Sequence, residues 1–335
     1  MKYHTFCVVA GSLACNAACP WCVAGMTPKN EVSDTKAPDI DEDSFWRACR
    51  LAELSGLDTA RITSKGEPTI FPDQVTRYLE LLQPWRFPFI EMQTNGILIA
   101  RRKRVSDEHL TTWRKMGLTH ICISVVSSDA ERNRLNYTPK EKQYIDLPKL
   151  IDELHGFGFN VRLTLIMQRG DVDSAESLKQ FLAFARAHHV EQVTALPVNK
   201  PTSSRDGELY DAAVKAALTP EQMHEIQAFA ATGNLLNTLP WGAKIYDIGG
   251  QNFCLTSCLT TSPDANESRQ LIFLPPGRIT TDWQYEGAMI YDLPRAARDK
   301  SVAAGRKVIA IQSLAAAPAT AGSADGASVD ETAKS

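Results

Sequence analysis

The sequence predicts an α/β protein built on a parallel sheet, from three observations. Short β-branched runs alternate with longer amphipathic segments, six such runs recur by about residue 200, and cap or turn residues mark the changes between them. The first run is Tyr3 to Ala10, followed by Asp58 to Thr63, Phe89 to Thr94, His120 to Val126, Asn160 to Met167 and Gln192 to Pro197. Between them apolar residues recur at three and four, as in Phe45, Ala48, Cys49, Ala52, then Leu147, Leu150, Ile151, Leu154, and Leu178, Phe181, Leu182, Ala185. Asp41, Ser106 and Ser174 stand where helix N-caps are expected. Right-handed crossovers serve a doubly wound sheet and an incomplete barrel equally, so periodicity leaves both open.

After residue 200 the pattern changes. Lys200-Pro201-Thr202-Ser203-Ser204 reads as a loop, and Thr219-Pro220-Glu221-Gln222 as a capping box that opens another helix. Residues 235 to 295 read as an irregular appendage with one hairpin, Leu271 to Leu274 and Arg278 to Trp283 around Pro275-Pro276-Gly277. From about Ala315 the chain is mostly Ala, Gly, Ser and Thr and is expected to be a disordered tail. The division is therefore a core over 1–200, an extension over 201–295 expected to cap the substrate, and a terminal segment over 296–335.

Composition excludes several classes. Hydrophobic residues make up 44% and charged residues 22% of the 335, which is ordinary for a globular protein. A net charge of −3 argues against a surface dedicated to nucleic acid or an anionic bilayer. Phe6 to Ala14 is too short and too interrupted for a signal-peptide core, and no run reaches the roughly 18 apolar residues of a spanning helix. The expected compartment is the reducing cytoplasm, where eight cysteines do not make a disulfide scaffold.

Three of the eight stand together. Cys15, Cys19 and Cys22 give a CxxxCxxC spacing directly after the first strand, where parallel α/β folds place their ligands. Thiolates favour zinc, copper(I) or iron–sulfur clusters. Structural zinc and electron-transfer clusters normally take four protein ligands, so three leave one metal position open to a reacting group. A zinc knuckle that borrows a distant fourth ligand is the rival reading, and would make the chain a noncatalytic binding module.

With Trp21 before the last cysteine, this run resembles the CxxxCxΦC signature of the radical SAM superfamily. Four later segments extend the resemblance. Lys65-Gly66-Glu67-Pro68 is similar to the family's GGEP turn, with Lys65 replacing the first glycine, and Thr94-Asn95-Gly96 is similar to its third-strand ending. Ser124 and Arg162 fall on the fourth and fifth strands, where family members contact the cofactor. Arg162 lies in an apolar run and must be paired, either with the cofactor carboxylate or in a structural salt bridge.

The resemblance covers about residues 3–200 and implies an incomplete (β/α)6 TIM-like barrel with a C-terminal extension. It implies a 4Fe-4S cluster on Cys15, Cys19 and Cys22, with S-adenosyl-L-methionine held by Trp21, Lys65, Gly66, Glu67, Pro68, Thr94, Asn95, Ser124 and Arg162. Reductive cleavage then gives a 5′-deoxyadenosyl radical, which implies a reducing partner such as flavodoxin or ferredoxin. Membership fixes the radical and not whether oxidation, transfer or elimination follows. A small-molecule substrate is favoured over a ribosomally made peptide, because a first strand at about residue 3 leaves no room for an N-terminal docking domain.

The remaining groups receive blander expectations. Cys254 and Cys258 read as a structural or redox pair rather than an auxiliary cluster, and Cys7, Cys49 and Cys122 as core residues. Arg101-Arg102-Lys103-Arg104 reads as a solvated loop, and His188 and His189 as a helix end.

Overall fold

Residues 2–30, 32–257, 259 and 266–292 are described by a computed structural model of the chain. Six strands follow the predicted runs: β1 (Lys2–Val9), β2 (Thr59–Thr63), β3 (Phe89–Thr94), β4 (Leu118–Val125), β5 (Asn160–Met167) and β6 (Gln192–Pro197). The helices among and after them are α1 (Val23–Met26), α2 (Glu42–Leu54), α3 (Pro72–Leu82), α4 (Ile97–Ala100), α5 (Asp107–Lys115), α6 (Ala130–Tyr137), α7 (Leu147–Gly156), α8 (Ala175–Ala187), α9 (Gly207–Ala216) and α10 (Pro220–Ala230). Asp41, Ser106, Ser174 and Thr219 cap α2, α5, α8 and α10, each side-chain oxygen accepting a first-turn backbone N–H.

The stretch expected to be irregular apart from one hairpin instead adds six strands. These are β7 (Asn234–Thr238), β8 (Lys244–Ile248), β9 (Gln251–Leu255), β10 (Glu267–Leu274), β11 (Arg278–Thr280) and β12 (Met289–Tyr291). The hairpin is present as β10 and β11. The sheet runs β12-β11-β10-β1-β2-β3-β4-β5-β6-β9-β8-β7. Every neighbouring pair from β10 to β9 is parallel, so the extension supplies one more parallel strand on each side of the six, and antiparallel ribbons beyond them. The ends β12 and β7 do not pair, which leaves an incomplete TIM-like barrel. The described residues from 2 to 292 belong to one compact unit, and both the expected tail and Cys258 lie outside the described residues.

Strand alternation sorts the side chains into two layers. On β5, Val161, Leu163, Leu165 and Met167 enter the apolar core beneath the helices, whereas Arg162 and Thr164 face a cavity. On β2, Ala60 and Ile62 take the core face and Arg61 and Thr63 the cavity face. The strands are thus apolar outside and polar inside. Cys7, Cys49 and Cys122 are buried core residues as expected, and two of them also touch polar groups: Cys7 Sγ reaches Gln270 Oε1 at 3.7 Å and Cys122 Sγ reaches Glu91 Oε2 at 3.5 Å.

Candidate active site

The cysteine loop leaves β1 and is tied down at both ends. Leu13 N donates to Ser33 O (2.9 Å), Ala18 N to Tyr137 O (2.9 Å), and Cys22 caps α1. Cys15, Cys19 and Cys22 are all free thiols, and Cys15 is exposed. Burial and then the field of its two neighbours push the Cys19 thiol well above its usual range, and atoms packed around the sulfur of Cys15, a residue otherwise exposed, push that thiol up to about 12. Cys19 feels the fields of both Cys15 and Cys22, so the three side chains are neighbours, and a metal centre would favour their thiolate forms.

The turn after β2 docks on this loop. Glu67 N donates to Ala14 O at 3.0 Å, and a Cβ added to Gly66 would stand 2.1 Å from the same oxygen. Glycine at 66 is required by this backbone-to-backbone approach, because its φ is not in the left-handed region. Pro68 opens a single 3-10 turn.

Glu67 is buried and its carboxylate is turned into the protein. Oε1 accepts from Thr69 N (3.0 Å), Thr69 Oγ1 (2.5 Å) and Thr94 Oγ1 (2.6 Å), and Oε2 accepts from Asn95 N (2.8 Å). Burial raises its pKa, and these donors oppose the rise. Glu67 thus joins the turn to the end of β3. Glu67→Gln removes one acceptor from this set and is expected to lower stability by about 2 kcal/mol in a denaturant titration; no loss would show that the network is not tightly formed.

Asn95 continues the bracing. Its Nδ2 donates to Asn16 Oδ1 (2.9 Å) and lies 4.0 Å from Cys15 Sγ, while its Oδ1 accepts from Ile97 N (3.0 Å). Gly66, Glu67, Pro68, Thr94 and Asn95 are therefore brought together against the cysteines. Trp21 is 7% exposed, meets Tyr137 edge-on at 6.2 Å, and donates through Nε1 to Gln168 Oε1. Lys65 is buried with Nζ on Thr27 Oγ1 (3.0 Å) and Pro28 O (2.8 Å), over the Trp283 ring at 5.2 Å. Burial, with Arg205 assisting, lowers the Lys65 pKa to about 8. Ser124 is half-buried and pairs in register with Thr164.

Arg162 forms the salt bridge that was its alternative role. Its Nη2 pairs with Glu91 Oε2, while Arg61 holds Glu91 Oε1 through Nε (2.9 Å) and Nη2 (2.7 Å). Burial would raise the Glu91 pKa, but the two guanidinium groups overcome it and hold the carboxyl at about 2. Two members of the basic run after α4 are also paired, Arg101 with Glu141 and Arg102 with Asp107 and Glu153.

Sequence reasoning missed Gln168, which accepts from Trp21 and donates to Asn136 Oδ1 (2.8 Å) and Asp171 Oδ2 (2.5 Å). It also missed Arg61 and Glu91, although each is a charge within a strand pattern, the signal that singled out Arg162. Among the described residues, Asn16 Nδ2 is buried without a geometrically satisfactory partner, and the hydroxyls of Tyr137 and Tyr144, both within the field of Cys19, have none. Donors held ready at the cysteine loop fit an acceptor-rich group there. A cavity of about 320 Å³ extends from Lys65 and α1 down the polar face of the sheet.

A parallel barrel sheet with a braced thiol loop at the carboxyl ends of its strands defines a class, the barrel enzymes whose chemistry is staged at that end. Within it the chain belongs to the Radical SAM superfamily, whose profile matches residues 11–184. It is a radical SAM enzyme, and the family implies an iron–sulfur cluster and S-adenosylmethionine. The chain is 31% identical over 125 residues to Molybdenum cofactor biosynthesis protein 1 of Bos taurus, covering 37% of this chain and 18% of that one. It is 23% identical over 205 residues to GTP 3′,8-cyclase of Stenotrophomonas maltophilia, covering 53% and 56%. The chain thus spans less than two thirds of either relative. Its fold is similar to Streptococcus suis SuiB bound to S-adenosylmethionine (TM-score 0.55, 12% identity, 83% of this chain and 60% of that). It is also similar to anSMEcpe with bound AdoMet (TM-score 0.51, 11% identity, 83% and 74%). No helix among the described residues is long and apolar enough to cross a membrane.

Proposed function

We propose that the chain uses one 4Fe-4S cluster on Cys15, Cys19 and Cys22 to initiate radical chemistry on a small metabolite. The observation that carries this reading is the loop itself: three free thiols spaced CxxxCxxC, in a loop that a Gly-Glu-Pro turn at the carboxyl end of the sheet docks on. When bound, the cluster supplies the electron that cleaves S-adenosylmethionine, giving a 5′-deoxyadenosyl radical for hydrogen abstraction. The chain's own residues position and exclude. Gly66 admits close backbone approach, Glu67 locks the turn to Thr94 and Asn95, and Asn95 braces the loop through Asn16. Trp21, held by Gln168, walls the site, and Lys65, Ser124 and Arg162 border or face the space beneath it. An external reductant such as flavodoxin or ferredoxin supplies the electron, in the cytoplasm.

The cavity volume favours a small molecule over a peptide, because ligand sites of about 300–1,000 Å³ hold compact molecules. The name of one relative, GTP 3′,8-cyclase, gives that protein a small polar substrate and supports the same class here. Residues 201–292 would close this chamber. The test is anaerobic purification with assay of iron, sulfide and 5′-deoxyadenosine after reduction, beside a variant carrying Cys15→Ala, Cys19→Ala and Cys22→Ala. Wild type should hold the cluster and release 5′-deoxyadenosine, and the variant should do neither. Metal retained by the variant, or no 5′-deoxyadenosine from wild type, would refute the assignment.

A further inference from the structure

Buried donors without a partner gather on one side of the cysteine loop. Among the described residues they are Asn16 Nδ2, Thr138 Oγ1 and the hydroxyls of Tyr137 and Tyr144. Tyr137, only 2% exposed, touches the residues that directly precede two of the cysteines: its carbonyl accepts from Ala18 N at 2.9 Å, and its ring meets Trp21 edge-on at 6.2 Å. Thr138 follows it, and the Tyr144 ring packs on that of Tyr137 with centroids 6.2 Å apart. The segment that carries them is clamped. Arg134 Nη1 donates to Pro139 O (3.1 Å) and Glu141 O (2.8 Å), Glu141 N donates to Thr138 O (2.9 Å), and Arg101 holds the Glu141 carboxylate. Burial raises the pKa of both phenols, so each keeps the proton it would donate. A buried donor left unpaired is costly, and several in one fixed place call for an acceptor between them.

Thiolate and sulfide sulfurs are such acceptors. A hydrogen bond to them favours the more negative, reduced state of an iron–sulfur cluster, and so raises its reduction potential. We infer that the hydroxyls of Tyr137 and Tyr144 donate to the sulfurs of the cluster on the cysteine loop and thereby set how readily it is reduced. This rests on the cluster of the proposed function. Both tyrosines are positioning residues, acting through the sulfurs rather than on S-adenosylmethionine or substrate. Phenylalanine at either place would keep the ring contacts with Trp21 and between the two rings, and lose the donor alone.

Potentiometric titration of the anaerobically purified full-length protein, followed by electron paramagnetic resonance without S-adenosylmethionine, compares wild type with Tyr137→Phe and Tyr144→Phe. Each substitution should favour the oxidised cluster roughly tenfold, which for one electron is about 59 mV toward more negative potential. In cluster-free protein the same variants should melt at or above the wild-type temperature, because the hydroxyl that is lost has no protein partner. A merely structural role would lower the melting temperature and leave the potential in place. Unmoved or raised potentials in both variants, a shift seen only when S-adenosylmethionine is added, or cluster-free variants that melt below wild type would overturn the inference. Should one variant fail to take up iron and sulfide, the other still reports the potential, and failure of both would assign the tyrosines to loop structure and overturn it equally. A wild type without a cluster would refute the radical reading itself, whereas a loaded wild type whose potential the variants share removes this inference alone.

Discussion

Gly66→Ala is expected to abolish cluster loading and with it activity. The added methyl would lie 2.1 Å from Ala14 O, 2.7 Å from Ala14 C and 2.8 Å from Leu13 C, all backbone atoms with no rotamer to turn away. Either the turn or the cysteine loop must therefore move, and the hydrogen bond from Glu67 N to Ala14 O holds the two at their present spacing. Overpacking of this kind costs up to about 3 kcal/mol even where side chains can yield. A displacement of about 1 Å at a site of chemistry can cost on the order of a hundredfold in rate. Iron content, melting temperature and 5′-deoxyadenosine yield are the measurements. Wild-type values for all three would mean that the loop and turn are not in contact in solution.

Glu91→Gln carries the second large effect, on stability. The substitution keeps the shape but leaves Arg61 and Arg162 as uncompensated charges in the barrel, at a cost of about 3–5 kcal/mol and roughly 10 °C in melting temperature. The effect has a defined pH dependence. The folded-state pKa of Glu91 is held at about 2 against an ordinary 4.5, so the ionised carboxylate contributes about 3 kcal/mol. That contribution is complete above pH 4.5 and disappears as the pH falls from there to about 2. The stability gap between wild type and variant, followed by denaturant titration, should narrow across that window. A gap that stays constant with pH would assign the loss to packing rather than charge.

The six βα strands were legible because each buries one face under helices, and that burial writes apolar residues at every second place, as in Val161, Leu163 and Leu165. The cysteine spacing was legible because ligand chemistry is local in sequence. The extension was not. β9 and β10 join the sheet by pairing with β6 and β1, contacts between residues up to some 260 positions apart, which no short window records. Arg162 was recognised as needing a partner, but Glu91 is two strands away, and its neighbours Phe89 and Ile90 disguised it as part of an ordinary strand. Gln168 and the tyrosines beside Cys19 carried no local signal, since their role arises only when loop, α6 and the end of β5 meet.

The two-layer sorting of side chains has a consequence for how the chain reaches its fold. Side chains alternate along a strand, so a slip of one residue between β4 and β5 would drive Arg162 into the apolar layer under the helices and withdraw Leu163 from it. The same slip at β2 would misplace Arg61. The charges inside the barrel therefore act as alignment keys. A wrongly paired sheet is thus penalised at several strands at once.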